Sequence, residues 1–199
     1  AGLPSFFDYN AFINWIKDIL QIPFKKIKPL PCIMDDGPIK IKEFLNNTMK
    51  HLDKAIAGQY VAKNEIIDFV AKIISNPNSR GNVLALIGSK GCGKTRLVRK
   101  GIADALSRPF HVINLGGMND VHVLTGHDFT YSSSKYGRLV HILIQSQCEN
   151  PVIYLDEIEH SGLPREIIFK KIKRMYVGKT SRECTICFNP YNKSPFFKP

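Results

Sequence analysis

The chain has 199 residues, 44% hydrophobic and 23% charged, which suits an ordinary globular domain long enough to bury a core. No apolar run approaches the roughly 18 residues a membrane-spanning helix needs, and the opening AGLPSFFDYN lacks the basic start and apolar stretch of a secretory signal. A soluble intracellular protein, of cytoplasm or organelle matrix, is expected; a first residue other than Met points to a fragment or a processed chain.

Charge is unevenly spread. The net charge is +11, and residues 161–199 hold nine Lys or Arg against two Glu. That basic tail is a candidate surface for nucleic acid or another anion, or simply a solvated end. The five cysteines, Cys32, Cys92, Cys148, Cys184 and Cys187, are odd in number and scattered. They fit a reducing compartment better than a disulfide framework. Cys184 and Cys187 form a lone CxxC with no second pair nearby, short of a four-ligand zinc site.

In chain order, Phe12, Trp15, Ile16, Ile19 and Leu20 recur at helical spacing over residues 6–22, and Pro23 ends the run. Residues 23–38 hold four prolines and read as an irregular crossing. Pro38 is a favoured first helical residue. The helix it opens carries Phe44, Leu45, Met49 and Leu52, with Gly58 as a stop. A third helix places Ile66, Ile67, Val70, Ile73 and Ile74 on one face, and NPNSRGN closes it as a loop. From residue 82 the pattern changes. NVLALIG, FHVINL and PVIYLDE are short apolar runs of the kind buried parallel strands show, separated by helices at KTRLVRKGIADAL and RLVHILIQSQ. Alternation of strand and helix predicts an α/β fold: a parallel sheet with helices on both faces, behind an N-terminal helical segment.

Two motifs carry chemistry. GSKGCGKT, Gly88 to Thr95, matches the phosphate-binding loop GxxxxGK[ST] and lies between a strand and a helix, as that motif requires. Glycines let the backbone wrap closely and turn several N–H groups toward phosphate oxygens. The nucleotide-binding candidates are therefore Gly88, Ser89, Lys90, Gly91, Cys92, Gly93, Lys94, Thr95 and Arg96. Lys94 would reach the β- and γ-phosphates, and the Thr95 hydroxyl would face Mg²⁺. VIYLDE supplies the counterpart: four apolar residues carry a strand into the sheet, and Asp156 and Glu157 emerge at its carboxyl end. Asp156 is the second Mg²⁺ candidate. Glu157 is the candidate general base for water, and with Lys94 it forms the catalytic pair. The set predicts a P-loop nucleotide hydrolase that works with Mg²⁺.

Beyond these motifs the chain resembles the AAA+ module of Lon-type ATP-dependent proteases. The likeness rests on NLGGMNDVHVLTGHDFTYSSSKYGRLV, residues 114–140, in which Leu115, Gly116, Gly117, Asp120, Gly126, His127, Thr130, Tyr131 and Gly137 fit. FINWIKDILQIPF and HLDKAIAGQYVAKNEIIDFVAKI, which resembles a helix pair packed over the adenine, extend it over residues 12–159. The resemblance implies ATP as the nucleotide, with Mg²⁺, and a homo-oligomeric ring that translocates a polypeptide. It makes Thr130–Tyr131 a pore loop whose aromatic, Tyr131, grips the polypeptide; Ser132 stands where the family usually has a second apolar residue. His127 reads as a histidine satisfied by local backbone. After Glu159 only a helix-like start at 164–175 is legible. No sensor strand, inter-subunit arginine, helical lid or Ser–Lys protease pair is recognisable, so proteolysis by this chain is not expected.

The expected organisation is an N-terminal helix and linker over 1–37, an incomplete AAA+ core over 38–160 and an atypical basic tail over 161–199. Two other functions stay open: a nucleic-acid-dependent ATPase of the loader type, and a nucleotide-binding remnant without turnover.

Overall fold

The structure is a computed structural model that describes residues 6–77, 82–89, 91–126, 136–164, 166–168, 170 and 185–188. Helix α1 (Phe6–Gln21) is followed by an irregular crossing with a single 3₁₀ turn at Met34–Asp36. The apolar side of α1 is less covered than its spacing suggests: Phe12, Trp15 and Leu20 are exposed. Helix α2 (Pro38–Ala55) starts at the expected proline, and α3 (Tyr60–Ser75) lies across it.

Among the described residues, a four-stranded sheet carries the rest: β1 (Asn82–Ala85), β2 (Phe110–Asn114), β3 (Val152–Asp156) and β4 (Thr185–Phe188). All neighbours run parallel, in the order β1-β4-β3-β2. The fourth strand lies in the stretch after Glu159 where no strand is recognisable in the sequence. It comes from the basic tail and sits between the two motif-bearing strands, with Val152 opposite Thr185 and Leu155 opposite Phe188. Strand β1 is shorter than the apolar run that predicts it; Leu86–Ser89 already belong to the loop.

Strand β3 shows why the fold has two cores. Its residues alternate between faces. Val152 and Tyr154 join Leu52, Ile66, Val70, Ile74, Leu97, Val98, Ile102 and Leu106 on one side. Ile153 and Leu155 join Ile113, Leu115, Leu124, Leu139, Ile142 and Ile168 on the other. Helices α2 and α3 and the helix after β1 cover the first face. The short α5 (His122–Thr125) and α6 (Arg138–Ser146) cover the second. The crossovers from β1 to β2 and from β2 to β3 thus use opposite faces, the arrangement of a doubly wound sheet.

The helix after β1 is not uniform. It begins as one α-helical turn, α4 (Lys94–Leu97), and passes into a π-helical segment at Val98–Ala103. Asp104 N donates to Arg99 O at 3.1 Å and Arg108 N to Ala103 O at 2.9 Å. The four apolar residues expected to face inward, Leu97, Val98, Ile102 and Leu106, are all buried. Gly101 on this segment lies against Leu52 of α2, where an added Cβ would collide with Leu52 Cδ2. Among the described residues, no helix is long and apolar enough to cross a membrane.

Candidate nucleotide site

The glycine loop leaves β1 at the carboxyl edge of the sheet and turns into α4 at Gly93. Gly91 (φ 78) and Gly93 (φ 86) hold left-handed backbone, which is why glycine is needed at both. Lys94 is half-buried beneath its own loop. Its Nζ donates to Gly88 O and Ser89 O, each at 2.7 Å, and lies 3.7 Å from Cys92 Sγ. The loop therefore already encloses a cationic donor. Thr95 is half-buried on the first turn of α4, and Arg96 is exposed. Lys90 lies outside the described residues.

Asp156 ends β3 at the same edge. Strand order and parallel register put it one strand away from β1, across β4. Asp156 Oδ1 accepts from Glu157 N at 3.0 Å. Glu157 itself takes left-handed backbone (φ 54, ψ 38), a conformation unusual for a residue with a long side chain, which lifts it out of strand geometry at the edge. The segment after β2 closes around it. Leu115 N donates to Asp156 O at 2.9 Å, and Gly117 N to His160 O at 3.0 Å. Gly116 lies against the Glu157 side chain, and its N–H is held by Asn114 Oδ1 at 2.7 Å. The Leu-Gly-Gly stretch is thus a floor for Glu157. Asn114, opposite Asp156 in the sheet register, is a further polar residue at the site, and the sequence reading does not single it out. A polar residue ending an apolar strand beside a Gly-Gly pair is the signal that marks it.

Lys94 and Thr95, on the helix that follows β1, and Asp156 and Glu157, at the end of β3, therefore lie at one sheet edge. A lysine held by main-chain carbonyls, two glycines with positive φ, and a hydroxyl with a carboxylate form a set that suits a phosphate chain with a hard divalent cation. The base of the loop carrying Tyr131 is also defined. Gly126 and Tyr136 form an antiparallel bridge, and a Cβ on Gly137 would collide with the Leu124 carbonyl. Tyr136 stacks on His141, with ring centroids 6.3 Å apart. His127, Thr130 and Tyr131 lie outside the described residues. A separate cleft of about 270 Å³ between the end of α2 and the helix after the loop is lined by His51, Lys54, Ala55, Arg96, Lys100 and Asp104. In it Lys100 pairs with Asp104 at 3.1 Å.

Residues 84–187, just over half of the chain, match the family model described as ATPase family associated with various cellular activities (AAA). The match covers both motifs and reaches into β4, as far as Cys187. The chain is 39% identical over 120 residues to a Lon protease homolog of Acanthamoeba polyphaga mimivirus, covering 60% of this chain and 12% of that protein. It is 31% identical over 160 residues to a mitochondrial Lon protease homolog of Aspergillus niger, covering 80% of this chain and 13% of the relative. With Lon protease 4 of Sorangium cellulosum the figures are 36% over 159 residues, 80% and 18%. The chain spans less than a fifth of the length of each of these relatives.

Proposed function

The chain belongs to the AAA family of ATPases, and on that premise we propose that it binds ATP with Mg²⁺ at Gly88–Thr95 and hydrolyses it when assembled in a ring of its own copies. The observation that carries the reading is the meeting, at one sheet edge, of a glycine loop folded over Lys94 and a Glu157 seated on Gly116.

Gly88, Ser89, Lys90, Gly91, Cys92 and Gly93 would wrap the phosphates with main-chain N–H groups. Lys94 would exchange its two carbonyl partners, Gly88 O and Ser89 O, for β- and γ-phosphate oxygens. Thr95 and Asp156 would hold magnesium, which when bound neutralises charge between the phosphates. Arg96 is a further contact to the nucleotide. Glu157, aimed from left-handed backbone, would orient the attacking water and take its proton.

The Lon likeness supports a polypeptide as the translocated substrate, with Tyr131 as the gripping aromatic, since an aromatic engages side chains of any sequence through apolar area. The Gly126–Tyr136 bridge suits this role by fixing both feet of the loop. The relatives lend no support to nucleic acid as a partner of the basic tail. The test is steady-state ATP hydrolysis against chain concentration. Turnover should rise with concentration and vanish in Glu157→Gln, while Tyr131→Ala should keep basal turnover and lose stimulation by an unfolded polypeptide. Bound ATP without turnover at any concentration would favour the remnant reading instead.

A further inference from the structure

The geometry points to Asp53 and Lys63 as a positioning pair for the phosphate-binding loop, an inference that rests on reading Gly88–Thr95 as an ATP site. Lys63, on α3, is only 1% exposed, yet it is a lysine. Its Nζ donates to Asp53 Oδ1 of α2 at 2.7 Å, and the Tyr60 ring centroid lies 5.6 Å away. The Asp53 carboxyl keeps its other side toward solvent, with the side chain 55% exposed.

A buried ammonium costs desolvation energy that an apolar residue at the same place would not. What the ion pair adds is direction: a short charged hydrogen bond fixes the angle and register between two helices more sharply than apolar contact does. Here the helices it fixes are joined by the turn Ile56–Gln59. That turn is tightly specified already. Gly58 (φ 71) and Gln59 (φ 57) both hold left-handed backbone, and Lys63 N donates to Gln59 O at 3.0 Å.

The turn ends on the phosphate loop. Ile56, its first residue, presses on Gly93: an added Cβ there would collide with Ile56 Cδ1 and lie 3.2 Å from Cγ1. Gly93 is the left-handed residue that turns the loop into α4 and precedes Lys94. A continuous line of contact therefore runs from Lys63 to Asp53, through the end of α2 to Ile56, and onto the backbone that aims Lys94. Neither Asp53 nor Lys63 belongs to the phosphate-binding motif. Their part is to seat Ile56 so that Gly93 keeps its conformation.

The test is a double-mutant cycle in Mg-ATP affinity on the full chain, with Lys63→Met and Ile56→Ala, and urea unfolding of each variant alongside. Lys63→Met leaves Asp53 facing water and keeps side-chain volume, so folding should survive it. Each single variant should weaken ATP by about tenfold, since small displacements of a binding group have large effects. Because both act through Gly93, the double variant should be little worse than either. Lys63→Arg should restore most of the affinity. Ile73→Val, a core change away from the turn, should lower stability and leave affinity alone. If wild type binds ATP and both variants bind it within twofold, or if their effects simply add, the positioning role is wrong. If wild type itself fails to bind, the ATP site and this inference fall together.

Discussion

Gly116 lies against the carboxylate of Glu157, so closely that a Cβ on residue 116 would collide with Oε2 and come within 3.0 Å of Asn114 Oδ1. Gly116 does not need positive φ. Its lack of a side chain is a matter of space alone. Gly116→Ala should therefore displace Glu157 without straining its own backbone. The expected outcome is a loss of ATP turnover of about a hundredfold, the scale of a catalytic group misplaced by about 1 Å, with ATP affinity within about threefold of wild type on the same preparation. Unchanged turnover in Gly116→Ala would mean that Glu157 does not act from this position.

Packing across the first core face gives a stability prediction. Leu52 is fully buried and touches Gly101 in the π-helical segment. Gly101→Ala should cost about 1–3 kcal/mol through overpacking, read as a lower urea midpoint at constant slope. Combined with Leu52→Ala, which opens space at the same contact, the cost should be less than the sum of the two. Strict additivity would show that the two residues do not share this contact.

The pH dependence of stability should carry a signature of His111. Burial, then the charges of Arg138 and His141, holds its folded pKa below the ordinary 6.5. Its Nε2 lies 2.8 Å from Ser146 Oγ, whose own hydrogen goes to Ile142 O at 2.6 Å, so the imidazole donates to the serine. The unfolded chain thus takes a proton more readily than the folded one. The stability from His111 is complete above about pH 6.5 and is lost as pH falls through that value toward the folded pKa. Thermal unfolding between pH 7.5 and 5.5 should show a falling Tm, and His111→Gln should flatten that slope. A Tm that rises as pH falls would contradict the burial argument.

Much of this was legible in the sequence, and the rest failed for physical reasons. The glycine loop announces itself because its residue types and spacing are demanded by the backbone conformation; Gly91 and Gly93 take the positive φ values they should. Strand β3 is legible because both its faces are buried, leaving a continuous apolar run. Strand β4 is not: four residues, Thr185–Phe188, are too short to show a period, and nothing local says they pair with β1 and β3. The helix after the loop is visible as an apolar face, but a change of hydrogen-bond register at Val98–Ala103 leaves no mark in such a pattern. Lys63 reads as a polar residue one turn before Ile66. Only its partner Asp53, brought near by the turn between α2 and α3, makes its burial tolerable. Exposed Phe12 and Trp15 show the opposite limit: helical spacing marks an apolar side and does not say what covers it.

In the proposed site, Gly88–Thr95 hold the phosphates of Mg-ATP through Lys94. The most direct measurement is equilibrium binding of ATP to wild type and to Lys94→Ala, with Mg²⁺ and with EDTA. Wild type should bind with a Kd of roughly 1 μM–1 mM, the range of working enzyme sites. Removal of Mg²⁺ should weaken it, and Lys94→Ala should weaken it by at least about a hundredfold, or roughly 2.7 kcal/mol. Equal binding by wild type and Lys94→Ala, or no binding by wild type at millimolar Mg-ATP, would show that this loop does not hold the phosphates through Lys94.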